Sequence, residues 1–359
     1  MVRKKRNRNK SFGGLTLMII MLIAAALLAV CYVSGYLNPA HAWLLTIFGI
    51  LYIPLFLINV ILLVWALVRR YIYFIIPLIA LLPSIFWVGR YYQFGQDDGT
   101  EEGQLKVLSY NVGHFDLSPD EMSQKESLDS VIRFVEQEDP DIVFFQEFCT
   151  LDGHDVSSFI DQNFSGYNKV YYAYENGANS SGNVILTKFP IIEKGVFDFE
   201  ESANLAIYCD CNINGERIRI YNCHFQSYSI SLSHMAEDLR DNYEETVKTT
   251  EQKFRTGISL RPKQVDQIME DILKSPYKSL IGGDFNDTPM SYTYNKIMRY
   301  QKDSFMEAGK GFGATYSILW PLLRIDYILY PSVFEAVSHR TPKKNFSDHY
   351  PIVATFDYI

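Results

Sequence analysis

The sequence predicts an α/β domain built as a sandwich of β-sheets with helices outside, preceded by three membrane-spanning helices. Two observations predict the membrane part. None of the 41 acidic residues precedes Asp97, and the 58 residues between Lys10 and Arg69 contain no charged side chain. A third observation predicts the sandwich: from Gln104 onward, short β-type runs follow one another, separated mostly by loops and only irregularly by helices.

The charge divides the chain into two physically different objects. The first 90 residues hold nine basic side chains and carry +9, and the remaining 24 basic and 41 acidic residues give −17. That excludes a simple soluble globule. It also argues against a broad basic face gripping nucleic acid, because affinity for a polyphosphate rests largely on Lys and Arg.

One span needs about 20 apolar residues, so the uncharged run is too long for one. The turn-forming Gly35-Tyr36-Leu37-Asn38-Pro39-Ala40-His41 divides it into spans at about 14–34 and 43–68. A third span is expected over 71–89, which holds Pro77 and Pro83, with Tyr71, Tyr73, Trp87, Tyr91 and Tyr92 at the interfaces. A cleaved signal peptide would use Ala40-His41-Ala42, but the apolar region of such a peptide is only 7–15 residues long, and here two more apolar runs follow. Six basic residues among the first ten, none in 35–42, and Arg69-Arg70 put the N-terminus in the cytoplasm. Three crossings then leave everything after residue 90 on the extracytoplasmic side. Residues 1–92 thus form the membrane region, 93–103 a polar linker, and 104–359 one large folded domain.

Within 104–359, Leu105, Val107, Ser109 and Asn111 share one face of a strand, as do Asp141, Val143, Phe145 and Glu147 of the next. Ser118-Pro119-Asp120-Glu121 reads as a capping box opening a helix whose apolar stripe is Leu128, Val131, Ile132 and Val135. Further strands are expected at 182–188, 205–212, 217–225, 279–284, 324–330 and 351–356, with a hairpin turn at Asn212-Ile213-Asn214-Gly215. A helix around 260–275 puts Arg261, Gln264, Val265, Ile268 and Ile272 on one side. The five cysteines lack metal-site spacing and read as free thiols, mostly buried.

Six strand ends carry a concentration of polar residues. They are Ser109-Tyr110-Asn111, Gln146-Glu147, Asn222-Cys223-His224, Gly283-Asp284-Phe285-Asn286-Asp287, Arg324-Ile325-Asp326-Tyr327 and Ser347-Asp348-His349. One such cluster is ordinarily a turn. Six, all bearing oxygen or imidazole, call for chemistry. The hard oxygen donors Glu147, Asp348 and the Asn111 amide suit Mg²⁺ or Mn²⁺ better than zinc. No Ser or Cys nucleophile has a base beside it, so direct attack by water is the economical mechanism. His114, His154, His234 and His339 have no such context and read as surface residues.

In this order the six clusters resemble the endonuclease/exonuclease/phosphatase (DNase I-like) superfamily over residues 104–357. The N-terminal spans are similar to those of membrane-anchored bacterial members. The resemblance implies a four-layer α/β sandwich with its site at one edge of the two sheets. It implies Asp284 as the base or water-orienting group, Asn286 holding the water or a phosphoryl oxygen, and His349 contacting the phosphate with Asp326 fixing its tautomer. His224 would bind phosphate or act as a general acid. Glu147, Asn111 and Asp348 would hold the cation. Asn183 offers a possible substrate contact, and Arg261 with Gln264 either braces the site or serves only structure.

The expected activity is therefore a membrane-anchored, Mg²⁺-dependent phosphoesterase acting on a small or lipid-linked phosphomono- or phosphodiester. An extracytoplasmic nonspecific nuclease is the alternative, and an inactive binding module on the same fold is the third reading. The expected partners are the phosphoester substrate (lipid, nucleotide or nucleic acid) and the bilayer, and no protein partner is inferable. The polar insertion 227–260, with Tyr228, Ile230, Leu232, Met235 and Leu239, reads either as a solvated helical pair or as a lid that meets lipid.

Overall fold

The structure, a computed structural model, describes residues 12–95, 103–150, 155–174, 181–200, 202, 204–228, 240 and 242–359. Most of the expected linker, Ile230, Leu232, Met235 and Leu239 of the 227–260 insertion, His154 and His234 lie outside these residues. The chain divides into two compact units, Met1–Gly89 with Met290–Tyr292, and Arg90–Pro289 with Thr293–Ile359.

In the first unit the expectation of three spans is corrected. Among the described residues only Gly14–Ser34, within helix α1 (Phe12–Ser34), is one straight helix long and apolar enough to cross a bilayer. The run expected to be the second span is two helices, α2 (Pro39–Ile50) and α3 (Tyr52–Val68), meeting at 52°, and it counts as a span only if the bent pair is taken together. Pro54 supplies the reason. Its ring has no N–H to donate and collides with the carbonyl four residues back, that of Ile50, where α2 stops. Pro77 and Pro83 act likewise on the expected third span. It is a short α4 (Ile75–Leu81) between 3₁₀ turns, and the apolar stretch Ile72–Phe86 falls short of a crossing. The helices are tied by polar contacts: the buried Asn59 amide donates to the Ala24 carbonyl at 3.0 Å, and the Tyr32 hydroxyl to Ala80 at 2.8 Å.

The second unit is two packed six-stranded sheets flanked by helices. The first sheet contains β2 (Leu105–Asn111), β3 (Ile142–Phe148), β4 (Asn168–Ala173), β5 (Gly182–Thr187), β13 (Phe334–Arg340) and β14 (Ile352–Tyr358), in the order β13-β14-β2-β3-β5-β4. The second contains β6 (Ile191–Asp198), β7 (Leu205–Ile213), β8 (Glu216–His224), β9 (Lys278–Asp284), β10 (Lys302–Asp303) and β12 (Asp326–Tyr330), in the order β10-β12-β9-β8-β7-β6. A separate ribbon pairs β1 (Tyr92–Phe94) with β11 (Lys310–Phe312).

Strand alternation builds the two inner layers. Val107, Phe144, Ile185, Ile207, Ile220, Leu280 and Ile328 fill the space between sheets. Their chain neighbours Leu108, Val143, Phe145 and Val184 turn outward onto α5 (Gln124–Glu138) and α6 (Val156–Asn163). The expected apolar stripe of α5 is buried at Leu128, Val131 and Val135, but the helix opens five residues later than read, capped by Ser123 with Glu126 in a reciprocal box. Both motifs satisfy the same pattern, and only Ser123 meets the chain where it turns helical. The hairpin turn is as expected, with Asn214 and Gly215 at positive φ between β7 and β8. The helix expected at 260–275 is the C-terminal half of a longer one, α7 (Tyr243–Lys274), whose Arg261, Gln264, Val265 and Ile268 are buried. Cys31, Cys209, Cys211 and Cys223 are buried free thiols, and Cys149 is a half-buried one.

Candidate active site

Strand direction gathers the six polar clusters at one edge. β2 and β3 run parallel, as do β8 and β9, so Asn111, Glu147, His224 and Asp284 all leave the C-terminal ends of their strands. β12 and β14 run the other way, so Asp326 at the start of one and His349 just before the other arrive at that same edge. Asp326 pairs across from Asp284, which in turn lies in register with His224.

Two backbone devices aim the carboxylates. At Glu147 the β3–β5 register shifts, and Glu147 itself takes φ +54°, which swings its side chain off the strand alternation. At Gly283, φ is +126° and a Cβ would come within 2.1 Å of the Cys223 carbonyl, so only glycine lets β9 deliver Asp284 here. Beneath them, Gln146 of the first sheet donates to Asn222 of the second at 2.7 Å, and Asn222 donates back to the Phe145 and Val184 carbonyls. The two sheets are thus locked together directly under the site.

Asp284 is buried and accepts from the Asn286 backbone N–H at 2.7 Å, the Asn286 amide at 3.2 Å and the Asn111 amide at 3.0 Å. Burial, then the nearby Asp326 carboxylate, raises its pKa to about 7. His349 Nδ1 lies 2.9 Å from Asp326 Oδ2, and its Nε2 lies 3.8 Å from Asp284 Oδ2. Burial works against an imidazolium there, but Asp326 and Asp284 outweigh it and hold the His349 pKa well above the usual value. His349 is therefore cationic at neutral pH.

His224 is the opposite case. It is 3 % exposed, and burial, with His349 and His114 nearby, lowers its pKa to about 3. Its tautomer follows from a donor count. The Asn183 amide nitrogen donates to the Leu205 and Asn222 carbonyls, so its oxygen must accept the Tyr174 hydroxyl proton, at 2.6 Å. Tyr174 then has no proton left for His224 Nδ1, 2.8 Å away, so Nδ1–H is the donor. Nε2 is left as a bare lone pair, buried and unpartnered, 3.6 Å from Glu147 and 3.8 Å from Asp284.

Glu147 is held by the Asn111 amide at 3.1 Å, by His114 Nδ1 at 3.2 Å and, through its backbone N–H, by Tyr174 at 3.0 Å. Burial raises its pKa, against the opposing pull of His114. Asp348 lies beside His349, with its carboxylate accepting from Ser347 at 3.2 Å. Asn111 presents its NH₂ to Glu147 and Asp284, while its oxygen accepts the Gly113 N–H at 3.0 Å. The amide stands between two carboxylates where a cation would serve, and it must turn over to offer its oxygen. Asp284, Asp326 and His349 also have ligand-type atoms within 4.8 Å of one another, but a cationic His349 has no lone pair to give a metal, so this cluster offers only its two carboxylates. Carboxylates raised by burial, the lone pair on His224 and an unpartnered buried oxygen on Asp326 together fit a divalent cation.

All eight residues singled out as catalytic or metal-holding come to this edge. Asn286 is turned inward: its amide donates to Phe225 and Asp284, so it supports the carboxylate. Arg261 stacks on Tyr228 at 4.1 Å and donates to the Asn286 carbonyl, and Gln264 accepts the Gln226 N–H at 2.8 Å. One helix thus grips the loops that follow both β8 and β9. Sequence reasoning missed Tyr174, the residue after β4, a strand that was not foreseen, and misread His114 and His339. His114 meets Glu147, and its place three residues after Asn111 at a strand end was the available signal. His339 is 5 % exposed and bonds Ser304 at 2.8 Å, because the strand that carries it turns it inward.

A profile of the endonuclease/exonuclease/phosphatase family matches residues 108–349, and a profile for a domain of unknown function matches 14–91. A search of curated proteins returns no significant match. Among solved structures, the human nocturnin catalytic domain with a bound sulfate anion is similar at 15 % identity, covering 71 % of this chain and 94 % of that one, with TM-score 0.53. An endonuclease/exonuclease/phosphatase family protein from Leptotrichia buccalis is similar at 17 % identity, 71 % and 100 % coverage and TM-score 0.53. Humanized D. rerio TDP2 is similar at 16 % identity, 70 % and 98 % coverage and TM-score 0.51. At these identities the likeness to solved structures is one of fold.

Proposed function

The chain belongs to the endonuclease/exonuclease/phosphatase family and is a phosphoric ester hydrolase, and from that premise we propose a membrane-anchored, Mg²⁺-dependent phosphoesterase that cleaves a small or lipid-linked phosphoester by in-line attack of water. The family depends on divalent metal and acts on phosphoesters or nucleic acids. The observation that carries the reading is the buried pair of opposite tasks at one edge: Asp284 with a pKa near 7, 3.8 Å from a cationic His349.

In this reading Asp284 orients the attacking water and accepts its proton, the task for which a pKa close to the working pH is best. Asn286 holds that carboxylate still through its backbone N–H and its side-chain amide. His349, fixed by Asp326, meets the negative charge that builds on the phosphoryl oxygens. A bound Mg²⁺ supplies further neutralisation of the phosphoryl and leaving oxygens, and Glu147, Asp348 and a turned Asn111 would hold it. His224 does not suit the role of phosphate donor or general acid, because its Nε2 carries no proton. Its lone pair instead accepts from a water or faces the cation.

The −17 charge of the soluble part favours a small or lipid-linked ester over DNA. Helix α1 supports the anchor, and its basic N-terminal flank supports a cytoplasmic N-terminus. With α1 as the single crossing, the catalytic domain is extracytoplasmic; a second crossing by the bent α2–α3 pair would reverse that. Protease protection in spheroplasts reads the side directly.

The test is Mg²⁺-dependent hydrolysis by the full-length protein, in detergent, of bis-p-nitrophenyl phosphate, phospholipids, nucleotides and plasmid DNA, with Asp284→Ala alongside. Turnover of the small or lipid esters by the wild type, absent from Asp284→Ala, supports the reading. Cleavage of DNA alone replaces it with the nuclease reading. Equal rates for wild type and Asp284→Ala on every substrate refute it.

A further inference from the structure

We infer that the ribbon β1–β11 and the loop after it form a bilayer-docking surface that meets anionic phospholipid headgroups and seats the catalytic edge on the membrane. The inference rests on the phosphoesterase reading for what such seating delivers, namely a substrate phosphate held at a lipid surface.

The surface is a continuous aromatic strip. The Tyr92 ring lies 4.8 Å from Phe94 and 5.0 Å from Phe312, and Phe312 lies 5.6 Å from Trp320. Phe94 is 83 % exposed, Phe312 47 %, Ile318 51 % and Trp320 38 %. A two-stranded ribbon is marginal in water on its own, and this one leaves its largest apolar side chains exposed. Contiguous exposed apolar surface of this kind marks an interaction site, and Trp with Tyr or Phe is the composition that partitions into the headgroup layer.

Two further observations name the occupant. The strip begins at Tyr92, three residues after Gly89, where the apolar segment ends, so chain length alone keeps them within about 11 Å. On its β11 side the charge also departs from that of the domain, while the acidic Asp97, Asp98, Glu101 and Glu102 follow Phe94 on its β1 side. No acidic residue occurs between Glu307 and Asp326 or between Glu335 and Asp348, although the domain as a whole is strongly acidic. Lys343 places its ammonium 3.5 Å from the centre of the Trp320 ring, and Lys344 follows it. Aromatic rings interleaved with lysines fit an anionic bilayer surface.

The strip leads to the reacting groups within a few residues. The Trp320 N–H donates to the Ser317 carbonyl at 3.2 Å, and the Ser317 N–H donates to the Asp348 carbonyl at 2.8 Å. Tyr316 bridges to His349, with their rings 5.4 Å apart. A bilayer that receives Trp320 therefore lies beside the residues that grip phosphate.

The test uses full-length protein in nanodiscs of phosphatidylcholine with about 30 % phosphatidylglycerol, enough anionic lipid to attract a lysine pair, the acyl chains brominated or not. A bimane label at Ile318→Cys is compared with one at Ile192→Cys, an exposed position on β6, four strands from β12 and about 19 Å away across the sheet. Identically treated wild-type protein gives the background from native cysteines. Quenching by brominated lipid at least twofold stronger at 318 than at 192, and weakened by Lys343→Glu with Lys344→Glu, is the expected result. Equal quenching, or none, overturns the inference. So does protection of the 318 label by single-stranded dT20 without lipid quenching, which would make the strip a base-stacking face. Hydrolysis of soluble bis-p-nitrophenyl phosphate by the same samples reports on the phosphoesterase reading separately. The triple variant Phe94→Ser, Phe312→Ser, Trp320→Ser is expected to keep that soluble turnover within twofold while losing the lipid contact.

Discussion

The Tyr174 hydroxyl receives the Nδ1 proton of His224 at 2.8 Å and passes its own to Asn183 at 2.6 Å. A hydroxyl has one proton to give, so this short relay decides the tautomer of a buried histidine and leaves its Nε2 lone pair facing two carboxylates. Tyr174→Phe removes the acceptor and frees the ring to adopt the other tautomer. We expect a ten- to hundredfold loss of kcat, with KM for a soluble diester changed less than threefold and with no large change in Tm. An unchanged kcat would show that the tautomer does not matter to turnover.

Asp284→Ala and His349→Ala remove the proton acceptor and the cation beside it. Each should lower turnover by about 10²–10⁴-fold, while circular dichroism stays as in the wild type. Asp326→Asn should act almost as strongly, since it unseats the charge on His349. Wild-type rates in all three would place the chemistry elsewhere.

Glu147→Gln should act on the metal. With one charge fewer, the half-saturating Mg²⁺ or Mn²⁺ concentration should rise at least tenfold, and Mn²⁺ titration followed by electron paramagnetic resonance reads this without turnover. The same affinity in both proteins would remove Glu147 from the ligand set.

Stability has a separate centre. Arg324 and Asp303 form a fully buried, two-pronged ion pair at 2.6 and 2.7 Å, with Tyr294 also donating to Asp303 at 2.7 Å. Burial opposes the Asp303 charge, but Arg324 prevails and holds its pKa below the usual carboxylate value. Asp303→Asn strands a buried guanidinium and should cost about 3–5 kcal/mol, seen as a lower Tm. Replacing both partners with apolar residues should cost less than the single change.

The buried histidines set a pH dependence. His339 has its pKa lowered from 6.5 to about 3 by burial, with Arg324 adding to the effect. Between those values the unfolded chain binds a proton that the folded chain refuses. Its contribution is therefore intact above about 6.5 and declines as pH falls toward 3. His339→Asn should flatten the acid side of the Tm–pH curve by about one proton, ~1.4 kcal/mol per pH unit. His349, with its pKa raised, works the other way: its contribution is full below 6.5 and is lost as pH rises through its folded value. An acid limb unaltered by His339→Asn would contradict this account.

By itself the sequence determined what local chemistry determines: which runs are apolar enough for membrane or core, which alternate as strands, and which strand ends carry oxygen and imidazole. Those patterns need only a residue and its near neighbours. They placed Asn111, Glu147, His224, Asp284 and Asp326 in strands and Asp348 and His349 just before the last one, as the structure has them, although the helix expected after Ser118 begins after Ser123. What local pattern could not supply had a common cause, dependence on groups elsewhere in the fold or on backbone sterics. Pro54 breaks an apolar run that composition alone reads as one span, because backbone sterics, and not hydropathy, decide whether a helix continues. Tyr174 came into view only when strands distant in sequence were laid side by side. The tertiary structure alone decided the protonation of the site, since Asp284 and His224 carry their shifted pKa values only where burial and neighbouring charges act over a few ångströms. A sequence names the groups that can hold a proton; the fold, by removing water and setting charges at fixed distances, decides which of them do.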